Sequence, residues 1–198
     1  MRKKEKELTN LENELIEIIQ AHPYIQQLFD ATDHYIDDYY TGAGVITQTV
    51  WNKLYDFDFT YGINDAGIIY FNSLEQPSRE LERIKETKIR KALPHFPFEI
   101  DLTNEALVHH WYEQKFNKKI AAYRSAEEAI ETWPTTASAI GVKRVDGEYK
   151  IYAPFGLQDL FKGIVRPNKA LVPEHVYKSK AVKWKTRWPG LTVLEWSV

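Results

Sequence analysis

Apolar residues recur at helical spacing from the start of the chain. Leu8, Leu11, Leu15, Ile18 and Ile19 share one face of a helix predicted over 3–20. Pro23 permits a second helix to begin, and Ile25, Leu28 and Phe29 continue the stripe. Thr41-Gly42-Ala43-Gly44 interrupts it; Ile46, Val50 and Leu54 then predict a helix over 44–55. The period shortens at Ile68-Ile69-Tyr70-Phe71, a β-prone run bounded by Gly67 and Asn72 that reads as a buried strand. A charged, helix-favouring stretch over 78–92 ends before Pro94. Phe98, Ile100 and Leu102 then alternate with Glu99 and Asp101, the pattern of a second strand.

Asn104 is placed to cap a helix over 105–116, and Ser125 with Glu128 forms a capping-box pattern for a helix that stops at Trp133-Pro134. Residues 137–145 and 149–153 flank Asp146-Gly147, a hairpin signal. A short helix from Leu157 to Phe161, a basic helix near 174–187 and a strand at 191–196 complete the chain. Helices and strands interleave without regular alternation. The expected class is therefore α+β around one mixed sheet, as a single domain over 1–198 with residues 1–20 as a helical extension.

The absence of cysteine excludes a disulfide scaffold, an iron–sulfur cluster and a thiol nucleophile. No apolar run approaches the ~18–20 residues that cross a bilayer, and acidic residues follow the basic start at once. A cytoplasmic chain with no membrane partner is expected. The formal net charge of -2 hides a gradient. Residues 21–80 carry nine acids and two bases, whereas residues 162–198 carry eight bases and two acids. Such asymmetry either holds an anionic ligand between a cation-binding half and a cationic half, or simply lets the two ends attract each other.

Three groups of residues suit chemistry. Gly44, opening a helix, lets backbone amides approach a phosphate at the positive end of the helix dipole; otherwise it is an ordinary turn glycine. Asp65 and Asp101 lie at or on the two strands and, if the strands are neighbours, converge beside that turn. One or two carboxylates plus substrate phosphates are enough to seat Mg²⁺; otherwise both are turn residues. Asn104, Arg124, Ser125, Lys143, Arg144, Arg166, Asn168 and Lys169 form a polar and basic set suited to triphosphate oxygens, or to a solvated surface. His109 and His110 lack a third ligand at zinc spacing, so one is expected to face the core with its N–H satisfied. Trp184, Trp188 and Trp196 read as packing the last helix and strand, with stacking of single-stranded bases as the alternative.

The strings AGVITQTVWN (43–52), YGINDAGIIYF (61–71), DLTNEALVHHWYEQKF (101–116), SAEEAIETWPTTASAIGV (125–142), APFGLQDLF (153–161) and VRPNK (165–169) together resemble a bacterial family of nucleotidyltransferases. That family is a distant branch of the polymerase-β-like superfamily. The resemblance implies a nucleotidyltransferase-like mixed sheet flanked by helices, with the N-terminal helix as an addition. It implies that Ala43-Gly44 matches the phosphate-cradling motif, that Asp65 matches the first metal acid and that Asp101 matches the third. Gly67 stands where relatives usually carry the second acid, and Asn72 where an acid is common. The expected reaction is Mg²⁺-dependent transfer of a nucleoside monophosphate from an NTP to an unidentified acceptor. Asp65 and Asp101 would be catalytic and metal-binding, and Ala43, Gly44, Asn104, Arg124, Arg166 and Lys169 would hold the nucleotide. The alternative is a nucleotide- or metabolite-binding protein of the same fold in which loss of the second acid has ended transfer.

Overall fold

The structure is a computed structural model describing residues 2–197, with side chains from Asn10 onward. The Leu8 side chain therefore lies outside the described residues. Helix α1 (Arg2–Ala21) buries Leu15, Ile18 and Ile19, and α2 (Pro23–Thr32) buries Ile25, Leu28 and Phe29 on the same core. His22 starts α2 by accepting the Ile25 amide through Nδ1 at 3.3 Å, with Pro23 in the first helical turn.

Strand β1 (Tyr39–Gly42) has no counterpart in the sequence pattern. It is four residues long and every residue is buried, so neither length nor alternation announces it. It is nonetheless the centre of the sheet, which has the order β3-β2-β1-β4-β5. Strand β2 (Asp65–Tyr70) pairs antiparallel with β1 on one side and parallel with β3 (Glu99–Asn104) on the other. Strands β4 (Gly141–Val145) and β5 (Glu148–Tyr152) form the hairpin around Asp146-Gly147. The sheet is mixed and carries helices, as the α+β reading requires.

Between β1 and β2 runs α3 (Gly44–Leu54), in which every residue from Val45 to Asn52 is buried. Two of its polar members make hydrogen bonds outside the helix: Thr47 Oγ1 donates to Ala137 O, and Asn52 ties the helix to two loops. Asn52 donates to Phe59 O and Tyr61 O and accepts the Trp188 indole N–H at 2.8 Å. Helix α4 (Glu80–Ala92) crosses from β2 to β3.

Several expected boundaries move. The strand predicted at 68–71 begins at Asp65 because β3 pairs with it from there. The helix predicted over 105–116 is a 3-10 turn (Glu105–Leu107) followed by α5 (His109–Phe116). Asn104 accepts the Ala106 amide and so closes the tighter turn first. Residues 137–140 are a buried turn rather than strand, since Ser138 N and Ala139 N both donate to Thr135 O. Ser125 caps α6 (Ala126–Ile130) through Glu128 N at 3.2 Å, as its pattern predicts. After α7 (Gln158–Phe161), β6 (Ile164–Val165) pairs parallel with β7 (Thr192–Val193) around α8 (Glu174–Arg187). Trp184 and Trp188 are buried against Trp51, and Trp196 packs on Tyr177, so these rings build core. No described helix is long and apolar enough to cross a membrane.

Gly42 tests this packing. A methyl group there would lie 2.5 Å from Ile140 O and 2.9 Å from the Trp133 ring, and the first of these is backbone that cannot turn aside. Gly42→Ala should destabilise the protein by about 1–3 kcal/mol, read as a lower urea midpoint with unchanged slope. An unchanged midpoint would show that β1 and the Trp133 turn are looser than described.

Candidate active site

The parallel register places Asp65 opposite Glu99 and Gly67 opposite Asp101. Side chains alternate along a strand, so Asp65, Gly67 and Ile69 face the same side as Glu99, Asp101 and Thr103. The other face of β3 carries the half-buried Ile100 and the buried Leu102, and that of β2 carries Ala66 and Ile68. Asp65, Gly67, Ile69, Asp101 and Thr103 line one cavity of about 620 Å³, together with Gly42, Ala43 and Gly44. The two carboxylates expected from sequence therefore share a pocket with the glycine turn.

That turn is strained. Ala43 adopts φ 50° and ψ -124°, a region other residues avoid, at a cost of order 1–3 kcal/mol. Bonds on both sides hold it there: Ala43 N donates to Ile140 O and Thr47 N donates to Ala43 O. The Thr47 bond is the first of the α3 ladder, so the amides of Gly44, Val45 and Ile46 precede it at the positive end of the helix. Gln48 sits one turn on, its Nε2 3.0 Å from where a Gly44 side chain would begin. Its Oε1 is buried with no partner among the described residues.

The opposite wall is α8. His175, Ser179, Lys180 and Lys183 fall at i, i+4, i+5 and i+8, one face of the helix, and all four line the cavity. Lys180 is half-buried, with its ammonium 5.0 Å from the centre of the Trp184 ring. Burial pushes its pKa down, while the Asp65 carboxylate pulls it back up and Lys183 adds to the lowering. Of the acidic first half and the basic last segment, Asp65, Lys180 and Lys183 meet on this cavity, whereas Asp30, Asp33 and Asp38 pair with Arg144 and Lys143.

Asp101 lies 3.7 Å from the Arg79 guanidinium, which also binds Glu82 at 3.0 Å and donates to Leu102 O. Glu105, which opens the 3-10 turn after β3, is almost fully buried and lines the cavity. Burial, reinforced by the charges of Asp101 and Glu82, pushes its carboxyl up to about 8.

The remaining candidates from sequence lie elsewhere. Asn104 is fully buried and ties Asn72, Glu75 and the 3-10 turn together. Asn72 belongs to that network. Arg124 pairs with Glu128 at 3.0 Å, Arg166 with Asp159 at 2.8 Å, and Lys169 lies over the Trp196 ring. Lys143 pairs with Asp38 and Arg144 with Asp30 and Asp33. None of these lines the cavity. Glu99 shares the acidic face but is bound by Arg90 at 2.9 Å. His109 is half-buried, and its Nδ1 has no partner among the described residues; His110 is exposed.

Among the described residues no three His, Cys, Asp or Glu side chains gather closely enough to hold a metal ion by themselves. The two aspartates are hard oxygen donors on one face, the donor set that Mg²⁺ shares with substrate phosphates.

This fold has a solved counterpart. An NMR structure described as revealing a CCA-adding enzyme head domain superposes with a TM-score of 0.74 at 23% identity, covering 92% of this chain and 95% of that one. No curated protein matches the chain. The profile of a family described as nucleotidyltransferase matches residues 30–193, and the chain belongs to that family. The match excludes α1 and takes in both aspartates, the glycine turn and α8.

Glu105 makes the electrostatics measurable. Its folded value near 8 lies above the ordinary carboxyl value of 4.5, so the native state keeps a proton that the unfolded chain releases between those limits. Its contribution to stability is therefore full below about pH 4.5 and lost as pH rises toward 8, at no more than about 1.4 kcal/mol per pH unit. Urea titrations of wild type and Glu105→Gln should show the variant gaining on wild type steadily from pH 5 to 8. A gap independent of pH would mean that Glu105 is not held neutral.

Proposed function

We propose that the protein transfers a nucleoside monophosphate from an NTP to an acceptor hydroxyl in a Mg²⁺-dependent reaction. The observation that supports this most strongly is the sharing of one cavity by Asp65, Asp101, the Gly42–Gly44 turn and the lysines of α8. An anionic chain fits between the two walls, with a cation against the acids and the remaining negative charge toward Lys180 and Lys183.

Asp65 and Asp101 would hold Mg²⁺, which when bound supplies charge neutralisation at the reacting phosphoryl group. The Gly44 amide and its neighbours at the start of α3 take phosphate oxygens. Lys180 and Lys183, with the Ser179 hydroxyl, hold the outer phosphates in place of Arg124, Arg166 and Lys169, which do not line the cavity. Asp101 accepts the proton of the acceptor hydroxyl as its oxygen bonds to the α-phosphorus and pyrophosphate departs. Both NTP and Mg²⁺ are abundant in the cytoplasm, where this reading places the protein.

Gly67 favours a second reading, a protein that binds nucleotide without transferring it. A side chain at Gly67 would point between Asp65 and Asp101, and its Cβ would meet only Gly42 O, at an ordinary 3.6 Å. The position has room for the second acid that the resemblance leads one to expect there.

Pyrophosphate release from ATP with a pool of hydroxyl-bearing metabolites separates the readings. Wild type should release it only with Mg²⁺, and Asp65→Ala should lower the rate by ~10²–10³ or more. Silence from wild type with release by Gly67→Asp would identify the binding protein. Silence from both, with no heat on titrating millimolar ATP, would contradict nucleotide chemistry altogether. Lys180→Ala and Lys183→Ala should each weaken ATP binding, more strongly at low salt than at high salt; salt-independent losses would argue against a phosphate role.

A further inference from the structure

Trp133 stands apart from the other tryptophans. Trp51, Trp184 and Trp188 pack together, Trp111 lies against Tyr112, and Trp196 against Tyr177. Among the described residues Trp133 has no aromatic partner; it is half-buried, and it lines the cavity. Its six-membered ring lies against Gly42, at the end of β1, where only glycine admits so close an approach.

The ring is held on a rigid support. Trp133 N donates to Ile130 O at the end of α6, and Pro134 follows. The buried Asn168 donates through Nδ2 to Glu131 O at 2.7 Å and to Trp133 O at 2.9 Å, while its own amide donates to Pro134 O. Side chain and backbone of Asn168 thus clamp the turn on both sides of the tryptophan. A large apolar ring kept in place at a cavity wall, and left partly uncovered, is prepared for a flat ligand.

Across the glycine turn lies the Gln48 carboxamide, nine-tenths buried, with an oxygen that has no partner among the described residues. The other walls are charged and suit phosphates and a cation. Trp184 offers no open face, being buried against Trp51 and covered by Lys180.

From this geometry we infer that Trp133 is the stacking platform for the nucleobase. The inference rests on the nucleotide reading above and assigns the uncharged end of that ligand. Because every base has a π face, the platform takes purine and pyrimidine nucleotides alike.

The test is calorimetric titration of the full chain with Mg-ATP and with Mg-tripolyphosphate, which carries the charge but no base. Wild type should bind ATP about 10- to 100-fold more tightly than tripolyphosphate. ATP, and not tripolyphosphate, should quench tryptophan fluorescence. Trp133→Leu should lose that preference and bind tripolyphosphate as wild type does. Trp133→Phe, which keeps a ring on Gly42, should retain most of the preference while losing the quench, and it carries the test if the leucine variant fails to fold. Equal binding of the two ligands by wild type, or a quench that survives in Trp133→Phe, would overturn the platform and leave the phosphate site standing. Failure of wild type to bind either ligand would overturn the nucleotide reading and this inference together.

Discussion

Parallel pairing of β2 with β3 fixes where the carboxylates stand. Leu102, Ala66 and Ile68 need the core side of the sheet, and a slip of one residue on either strand would expose that strand's apolar set and bury its acids. Burying an aspartate without a partner costs far more than a surface change, so the apolar residues hold the polar ones in register. The chemistry of the cavity is in this sense a by-product of how the core is packed. Gly42 and Gly67, side by side on β1 and β2, leave a bare floor between Asp101 and Trp133.

Two unfavourable features are then sustained by that frame. Ala43 is locked into a backbone conformation that glycine would adopt more easily, and Glu105 is a carboxyl that burial, reinforced by neighbouring acids, holds toward its neutral form. Both lie on the cavity. A packed scaffold tolerates such local costs where they shape a site, and the α8 lysines line the same cavity.

Much of the frame was legible in the residues. The alternation at Phe98–Leu102 placed Asp101 on the polar face, and the resemblance of the quoted strings matched Asp65 and the Ala43-Gly44 turn. The resemblance also anticipated the family. Strand β1 was not legible, because four residues buried on both faces have no period to read. The basic helix was visible, but its cationic face became part of the site only through tertiary folding. Spacing of 175, 179, 180 and 183 was the signal available for it. Arg124 and Arg166 looked equally suitable as a list of charges, yet each has a carboxylate within a few residues of its own chain. Local ion pairs of that kind are hard to distinguish from ligand-binding cations until the partners are seen. Trp133 was hidden for a different reason: its string reads as the end of a helix, and only the sheet shows what the ring faces.

The most direct measurement is a crystal structure with Mn²⁺ and a non-hydrolysable ATP analogue, read by anomalous scattering from the metal. The account predicts a manganese peak in contact with both Asp65 and Asp101, with the phosphate chain running from it toward Gly44 and Lys180. A peak touching neither aspartate, or a nucleotide bound outside this cavity, would contradict it.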